Sequence, residues 1–152
     1  MDVGTDVADR ELVVSRLIDA PPALVFKAWT QPEHVARWWG PQGFAMVHCD
    51  MDIRVGGKYR CGMRSPQGTE HYVVGVYHEI VKPKRIVFTF AWEDADGNPG
   101  HELLTKVSFE ERGTQTLLTL RQGTFQTTDQ RDSHVTGWAS CLERFAAYIS
   151  TI

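Results

Sequence analysis

The chain has 152 residues, of which 42% are hydrophobic and 23% are charged, and its formal net charge is −3. This composition is typical of a globular domain with a sizeable core and excludes a chain that is disordered throughout. Acidic and basic residues are interspersed, so no basic stripe indicates a nucleic-acid or membrane partner.

The N-terminal segment predicts a lead followed by a strand. Residues 1–10 are polar, show no periodicity and do not resemble a signal peptide, and the apolar runs elsewhere are too short to cross a bilayer. We therefore expect a flexible lead at residues 1–10, one domain at residues 11–152 and a cytoplasmic location. Alternating apolar residues predict a strand at residues 11–19, which Pro21 and Pro22 end.

Two short helices are predicted next. A proline in the first turn favours a helix at residues 22–29, because its missing N–H group would have no partner there. Thr30 and Glu33 have the spacing of a capping box, which predicts that they cap a second helix at residues 32–38. Gly40 and the proline after it end that helix.

The middle of the sequence changes to a period of two, which is typical of strands. The connecting segments are short and rich in Gly, Pro, Asp and Asn, so successive strands should be antiparallel neighbours in a meander. Strands are predicted at residues 44–51, 57–64, 70–81, 85–92, 102–110 and 116–122.

The C-terminal segment predicts a long amphipathic helix at residues 129–149, with Thr128 or Asp129 as its cap. Apolar residues recur there at spacings of three and four, which places them on one stripe. The stripe consists of Val135, Trp138, Leu142, Phe145 and Ile149.

These elements predict an α+β protein with a helix-grip fold. A curved, seven-stranded antiparallel sheet should wrap around the long C-terminal helix, and the two short helices should close one end. This geometry tends to leave a cavity between the sheet and the helix. We expect ligand contacts in the first half of the helix, at residues 134–142, and plain core at residues 145–149.

Several segments resemble the START-like superfamily, which includes the birch-pollen-allergen-like proteins and the polyketide cyclases. Within it, the sequence is most similar to the family named for the C-terminal domain of the activator of the ninety-kilodalton heat-shock-protein ATPase. The similarity extends over residues 11–152 and lies in RLIDAP at 16–21, VFKAWT at 25–30, WWGP at 38–41, DIRVGG at 52–57, RIVFTF at 85–90, and Gly137-Trp138 with Leu142. The resemblance implies the fold and a cavity, but no shared catalytic residues.

The candidate ligand-binding residues fall into four groups, the first of which is the pair Trp38 and Trp39. Because adjacent helical positions point about 100° apart, one of Trp38 and Trp39 should pack in the core and the other should lie at the cavity entrance. The other candidates are aromatic residues, polar strand residues that could face inward, and residues of the long helix. They are Phe88, Phe90 and Trp138; His48, Tyr59, Tyr72, His78 and Gln122; and His134, Cys141 and Leu142. Core packing is the alternative role of each aromatic residue.

The favoured function is the binding of a small apolar or aromatic molecule. Two alternatives stay open: a stress-response protein that activates a chaperone ATPase, and a cyclase-type or hydrolase-type enzyme that uses cavity residues such as His48, Tyr72 and His78. No metal or cofactor is expected, because the histidines are scattered and the three cysteines have no ligand spacing. An exposed edge strand makes a homodimer a reasonable expectation.

Overall fold

The computed structural model describes residues 7–152 and confirms the predicted order of strands and helices. Most element boundaries agree with the predictions to within two residues. The elements are a 3₁₀ helix at Val7–Arg10, β1 (Leu12–Ile18), α1 (Pro22–Thr30), α2 (Pro32–Trp38), β2 (Ala45–Met51), β3 (Lys58–Arg64), β4 (Glu70–Val81), β5 (Arg85–Trp92), β6 (Leu103–Arg112), β7 (Gln115–Gly123) and α3 (Thr128–Ile149).

Three local predictions are corrected or lie partly outside the described residues. The lead predicted at residues 1–10 is described only from residue 7, where the chain forms the 3₁₀ helix. The capping box is wrong, because the Thr30 hydroxyl donates to the carbonyl of Phe26 and α2 begins without a side-chain cap. The cap of α3 is Thr127, whose hydroxyl accepts a hydrogen bond from the backbone N–H of Gln130.

The seven strands form one antiparallel sheet in the order β1-β7-β6-β5-β4-β3-β2. Strands β2 to β7 are joined as a meander, whereas β1 pairs with β7 from Leu12 opposite Gln122 to Ile18 opposite Thr116. Helices α1 and α2 therefore connect the two edges of the sheet. Irregular pairing between Tyr77 and Glu79 interrupts the β4–β5 ladder, and such bulges increase sheet curvature.

The second half of α3 packs on a buried cluster of aromatic residues. Trp38 has no exposed surface, and its ring lies 4.7 Å from the rings of both Trp29 and Phe145. Phe145 and Ile149 are buried, as predicted. Val135, which the sequence placed on the buried stripe, is 37% exposed, so the stripe begins at Trp138.

Candidate ligand-binding cavity

The side chains on the first half of α3 do not fill the space between this helix and the sheet. A cavity of about 280 Å³ lies there, which we call the main cavity. Its walls come from α3, from β3 and β5, and from the loop after α2. The lining residues are Trp39, Gly40, Pro41, Met63, Phe90, Trp92, Ser133, His134, Gly137, Trp138 and Cys141. An engineered apolar cavity of about 150 Å³ holds benzene, so this one is large enough for about two fused rings.

The lining is aromatic and carries no formal charge. The ring centroid of Phe90 lies 5.4 Å from that of Trp92 and 5.9 Å from that of Trp138. No Asp, Glu, Lys or Arg side chain is among the lining residues that the structure describes. An apolar surface of this kind favours a neutral ligand, because burying an unpaired charge is costly.

At two glycines the wall of the main cavity is formed by the backbone itself, because glycine has no side chain. Gly137 lies within α3, and a Cβ atom built there would meet no neighbouring atom within 4 Å. Gly40 has a φ angle of +101°, and a Cβ atom there would lie 3.0 Å from the sulfur of Met63. Glycine is the residue that adopts this backbone conformation without strain.

The loop after α2 is fastened to α3 by hydrogen bonds. The Arg144 guanidinium donates to the carbonyls of Gly40 and Pro41 at 3.2 and 3.0 Å. The backbone N–H of Gln42 donates to the hydroxyl of Ser140 at 2.9 Å. The Arg144 charge is therefore stabilised by backbone carbonyls, and the hydrogen bonds hold this wall of the main cavity in place.

A buried polar network lies beside the main cavity and is centred on Gln122, which is 1% exposed. Its Oε1 atom accepts hydrogen bonds from Trp138 Nε1 and His134 Nδ1, each at 2.9 Å. Its Nε2 atom donates to the hydroxyl of Thr105, also at 2.9 Å. The network therefore fixes the orientation of two residues that line the cavity.

The network also fixes the tautomer of His134. The indole of Trp92 can only donate, and its Nε1 atom lies 3.2 Å from His134 Nε2, so that nitrogen is the acceptor. The Nδ1 atom then carries the proton that is donated to Gln122. Burial lowers the pKa of His134 below its usual value, which favours this neutral form.

The comparisons with known proteins agree with the fold. The family described as "Activator of Hsp90 ATPase homolog 1-like protein" matches residues 19–150. The chain belongs to this family. No curated protein matches the sequence significantly.

Solved structures with the same fold come from several sources. A member of this family from Silicibacter pomeroyi is 25% identical, with a TM-score of 0.86, over 93% of this chain and 98% of its own. A protein from Arthrobacter aurescens is 24% identical, with a TM-score of 0.86, over 97% of this chain and 90% of its own. DynU16, a putative protein in the dynemicin biosynthetic locus, is 20% identical, with a TM-score of 0.77, over 93% of this chain and 48% of its own.

Two further spaces adjoin the main cavity of this family member. A side pocket of about 300 Å³ shares Trp92, Ser133 and His134 with it and extends past His101 and Phe125. A deep cavity of about 40 Å³ lies on the other side of Phe90 and Trp39, which line both spaces. Among residues 7–152, no helix is long and apolar enough to cross a membrane.

The structure distributes the predicted ligand-binding residues over five places, the last of which is the outer face of the sheet. The main cavity is lined by Trp39, Phe90, His134, Trp138 and Cys141. The deep cavity is lined by Trp38, Tyr59 and Phe88. Gln122 supports the wall from behind, and Leu142 is buried in the core without lining any cavity found in the described part of the chain.

The inward orientation predicted for His48, Tyr72 and His78 is wrong. Val73 and Tyr77 are the buried, inward residues of β4, so the neighbouring Tyr72 and His78 point the other way. The guanidinium of Arg60 lies 4.1 Å above the Tyr72 ring on the outer face of the sheet. His48 is exposed, with its ring 6.2 Å from that of Tyr72.

Six lining residues were not among the predicted ligand contacts. Trp92 carried a signal, because it has the same strand parity as Phe88 and Phe90. Gly137 also carried one, since a glycine in the middle of an otherwise amphipathic helix indicates a close approach or an open space. The loop residues Gly40 and Pro41, and also Met63 and Ser133, had no comparable pattern.

Within the described residues, no three His, Cys, Asp or Glu side chains form a group that could hold a metal ion. Cys141 lines the main cavity but is completely buried, and burial raises the pKa of its thiol to about 12. Besides its aromatic faces, the cavity lining includes one serine, one thioether, one thiol and one neutral imidazole.

Proposed function

We propose that the protein binds one small, neutral and mainly aromatic molecule in the main cavity. The observation that carries the proposal is the cavity of about 280 Å³ with three tryptophans, one phenylalanine and no formally charged side chain in its lining. Ligand sites of this kind combine an apolar surface with a few oriented polar groups. Ser133 supplies such a group at the junction with the side pocket, whereas both ring nitrogens of His134 are already bonded to Gln122 and Trp92.

The proposed affinity follows from the apolar area that the ligand would bury. A two-ring molecule that loses about 250 Å² of apolar surface gains about 6 kcal/mol before the costs of association. Aromatic pairs add about 1 kcal/mol in favourable geometry. The sum of about 7 kcal/mol would correspond to a dissociation constant of about 10 μM without association costs, so the expected constants are on the order of hundreds of micromolar to millimolar.

The test compares 2-naphthol with naphthalene-2-sulfonate, because the two probes share a ring system and differ in charge. Trp39, Trp92 and Trp138 line the cavity, so bound probe should change tryptophan fluorescence. Isothermal titration calorimetry gives the affinity independently. We expect 2-naphthol to bind at least tenfold more tightly, and equal binding of both probes would refute a neutral cavity.

The location of binding is tested with Gly137→Leu, which places a side chain in the open space beside Gly137. Ala139→Leu is the matched control, because Ala139 is exposed on the same helix. The first variant should lose at least tenfold in affinity for 2-naphthol, whereas the second should bind like the original protein. Equal affinity of all three proteins would place the probe elsewhere.

A second candidate function rests on the family description, which names an ATPase activator. This function predicts that the purified protein increases the ATPase rate of the chaperone of its own host. A flat titration would remove it without affecting the cavity proposal. Enzymatic turnover of the cyclase or hydrolase type has less support, because His48, Tyr72 and His78 do not line the main cavity.

Native mass spectrometry of the freshly purified protein addresses two remaining expectations. A co-purified small molecule would identify the natural ligand class, and the same spectrum gives the subunit number. The homodimer stays a prediction, for which the exposed edge strand β1 is the motivation: Val13 and Leu17 on it are 54% and 50% exposed. Cytoplasmic location likewise stays a prediction.

A further inference from the structure

Two cysteines face each other on adjacent strands, away from the main cavity. Cys49 of β2 is directly opposite Cys61 of β3 in the antiparallel ladder. The backbone N–H of Asp52 donates to the carbonyl of Lys58, directly opposite, at 3.0 Å. Because hydrogen-bonded and non-hydrogen-bonded pairs alternate along such a ladder, the two cysteines form a non-hydrogen-bonded pair.

This position in the ladder is suitable for a covalent link. Residues in a non-hydrogen-bonded antiparallel pair have Cα atoms about 4.5 Å apart, with their side chains close together. Disulfides occur at Cα separations of about 4.4–6.8 Å. The regular pairing from Asp50 opposite Arg60 to His48 opposite Gly62 surrounds the cysteine pair, so the strands need no change of register to be linked.

The two thiols differ in exposure and in acidity. Cys49 lies half-buried on the edge strand, with its sulfur 3.5 Å from the sulfur of Met51, whereas Cys61 is buried. A hydrogen bond from the Cys61 thiol lowers the pKa of Cys49, against the opposing effects of burial and of the Asp50 and Glu33 carboxylates. The same hydrogen bond and burial raise the pKa of Cys61. Cys49 is therefore the better nucleophile.

We propose that Cys49 and Cys61 form a reversible redox pair that hydrogen peroxide converts to a cross-strand disulfide. The Cys49 thiolate attacks one peroxide oxygen, an S–O bond forms, the O–O bond breaks, and the departing hydroxide takes a proton to become water. The Cys61 sulfur then attacks the Cys49 sulfur, releases its proton, and displaces the second oxygen as water. Two thiols and one peroxide thus give one disulfide and two waters, and a dithiol reductant reverses the change.

Peroxide treatment of the folded protein, followed by intact mass measurement and peptide mapping, tests the pair directly. We expect the mass to fall by two hydrogens, a peptide link between residues 49 and 61, and recovery of the original mass with dithiothreitol. A product that gains oxygen without a link, or a link that involves Cys141, would overturn the proposal. This measurement needs no variant and so does not depend on the folding of one.

Three serine variants assign the two roles. Cys61→Ser should accumulate a sulfenic acid at position 49 that dimedone traps, because the resolving thiol is missing. Cys49→Ser should react with peroxide at least tenfold more slowly than the original protein. Cys141→Ser is the matched control, since Cys141 is a buried cysteine on α3, and it should form the disulfide normally. Dimedone labelling of Cys61 in the Cys49→Ser variant at the original rate would contradict the assignment.

Discussion

Replacing Gln122 by methionine tests whether the buried polar network holds the cavity wall. Methionine has a similar length but lacks the amide, so Trp138 Nε1, His134 Nδ1 and the Thr105 hydroxyl lose their partner. Each unsatisfied buried group costs about 1–3 kcal/mol of stability. Part of the total for the three groups is offset, because a thioether is easier to bury than an amide. We expect the free energy of unfolding to fall by about 2–5 kcal/mol.

The free energy of unfolding is measured by urea denaturation at pH 8, where His134 is neutral. Circular dichroism monitors the transition. Thr105→Val is the matched control, because it removes one end of the network and should cost about 1 kcal/mol. Gln122→Met should also weaken 2-naphthol binding, since Trp138 and His134 line the main cavity. A loss of stability below about 1 kcal/mol would refute the view that these hydrogen bonds stabilise the wall.

Three further predictions follow from single residues. Gly137→Ala should raise the free energy of unfolding by about 0.5–1 kcal/mol in thermal denaturation, because alanine favours a helix and its Cβ meets open space. Gly40→Ala should lower it by about 1–2 kcal/mol, owing to the positive φ angle and the nearby Met63 sulfur. Burial lowers the pKa of His134 below 6.5, so the unfolded state binds more protons at mildly acidic pH. Stability should be complete above pH 6.5 and fall as the pH decreases toward the folded-state pKa, and His134→Gln should remove this slope in urea titrations at several pH values.

The fold could be predicted from the sequence because its signals are local and repeated. Period-two alternation over six segments, short turns and one long amphipathic stripe are sufficient to specify a meander and a covering helix. The helix caps were less predictable, since Thr30, Thr127, Thr128 and Asp129 are all suitable capping residues and only the backbone determines which one is used. At the start of α3 the apolar spacing likewise predicted that Val135 is buried, whereas it is exposed in the structure.

The site was only partly predictable because strand parity decides which residues face inward. On β5 the apolar alternation of Phe88 and Phe90 is unambiguous, and both face the helix side. On β4 the run from Tyr72 to Tyr77 contains only tyrosine, valine and glycine, so Tyr72 could equally well have been an inward residue. The role of Gln122 as the centre of a network depends on contacts with residues far away in the sequence, which no local pattern encodes.

One row of residues on α3 explains why the cavity and the buried core lie under the same helix. Ser133, Gly137, Cys141, Phe145 and Ile149 follow each other at intervals of four, so each lies beside the next in a row that winds gradually round the helix. The first three are small and line the main cavity, whereas the last two are large and fully packed. The change from small to large side chains therefore marks where the cavity ends and the core begins. The size of the residue at position 137 should accordingly set the volume that is available to a ligand.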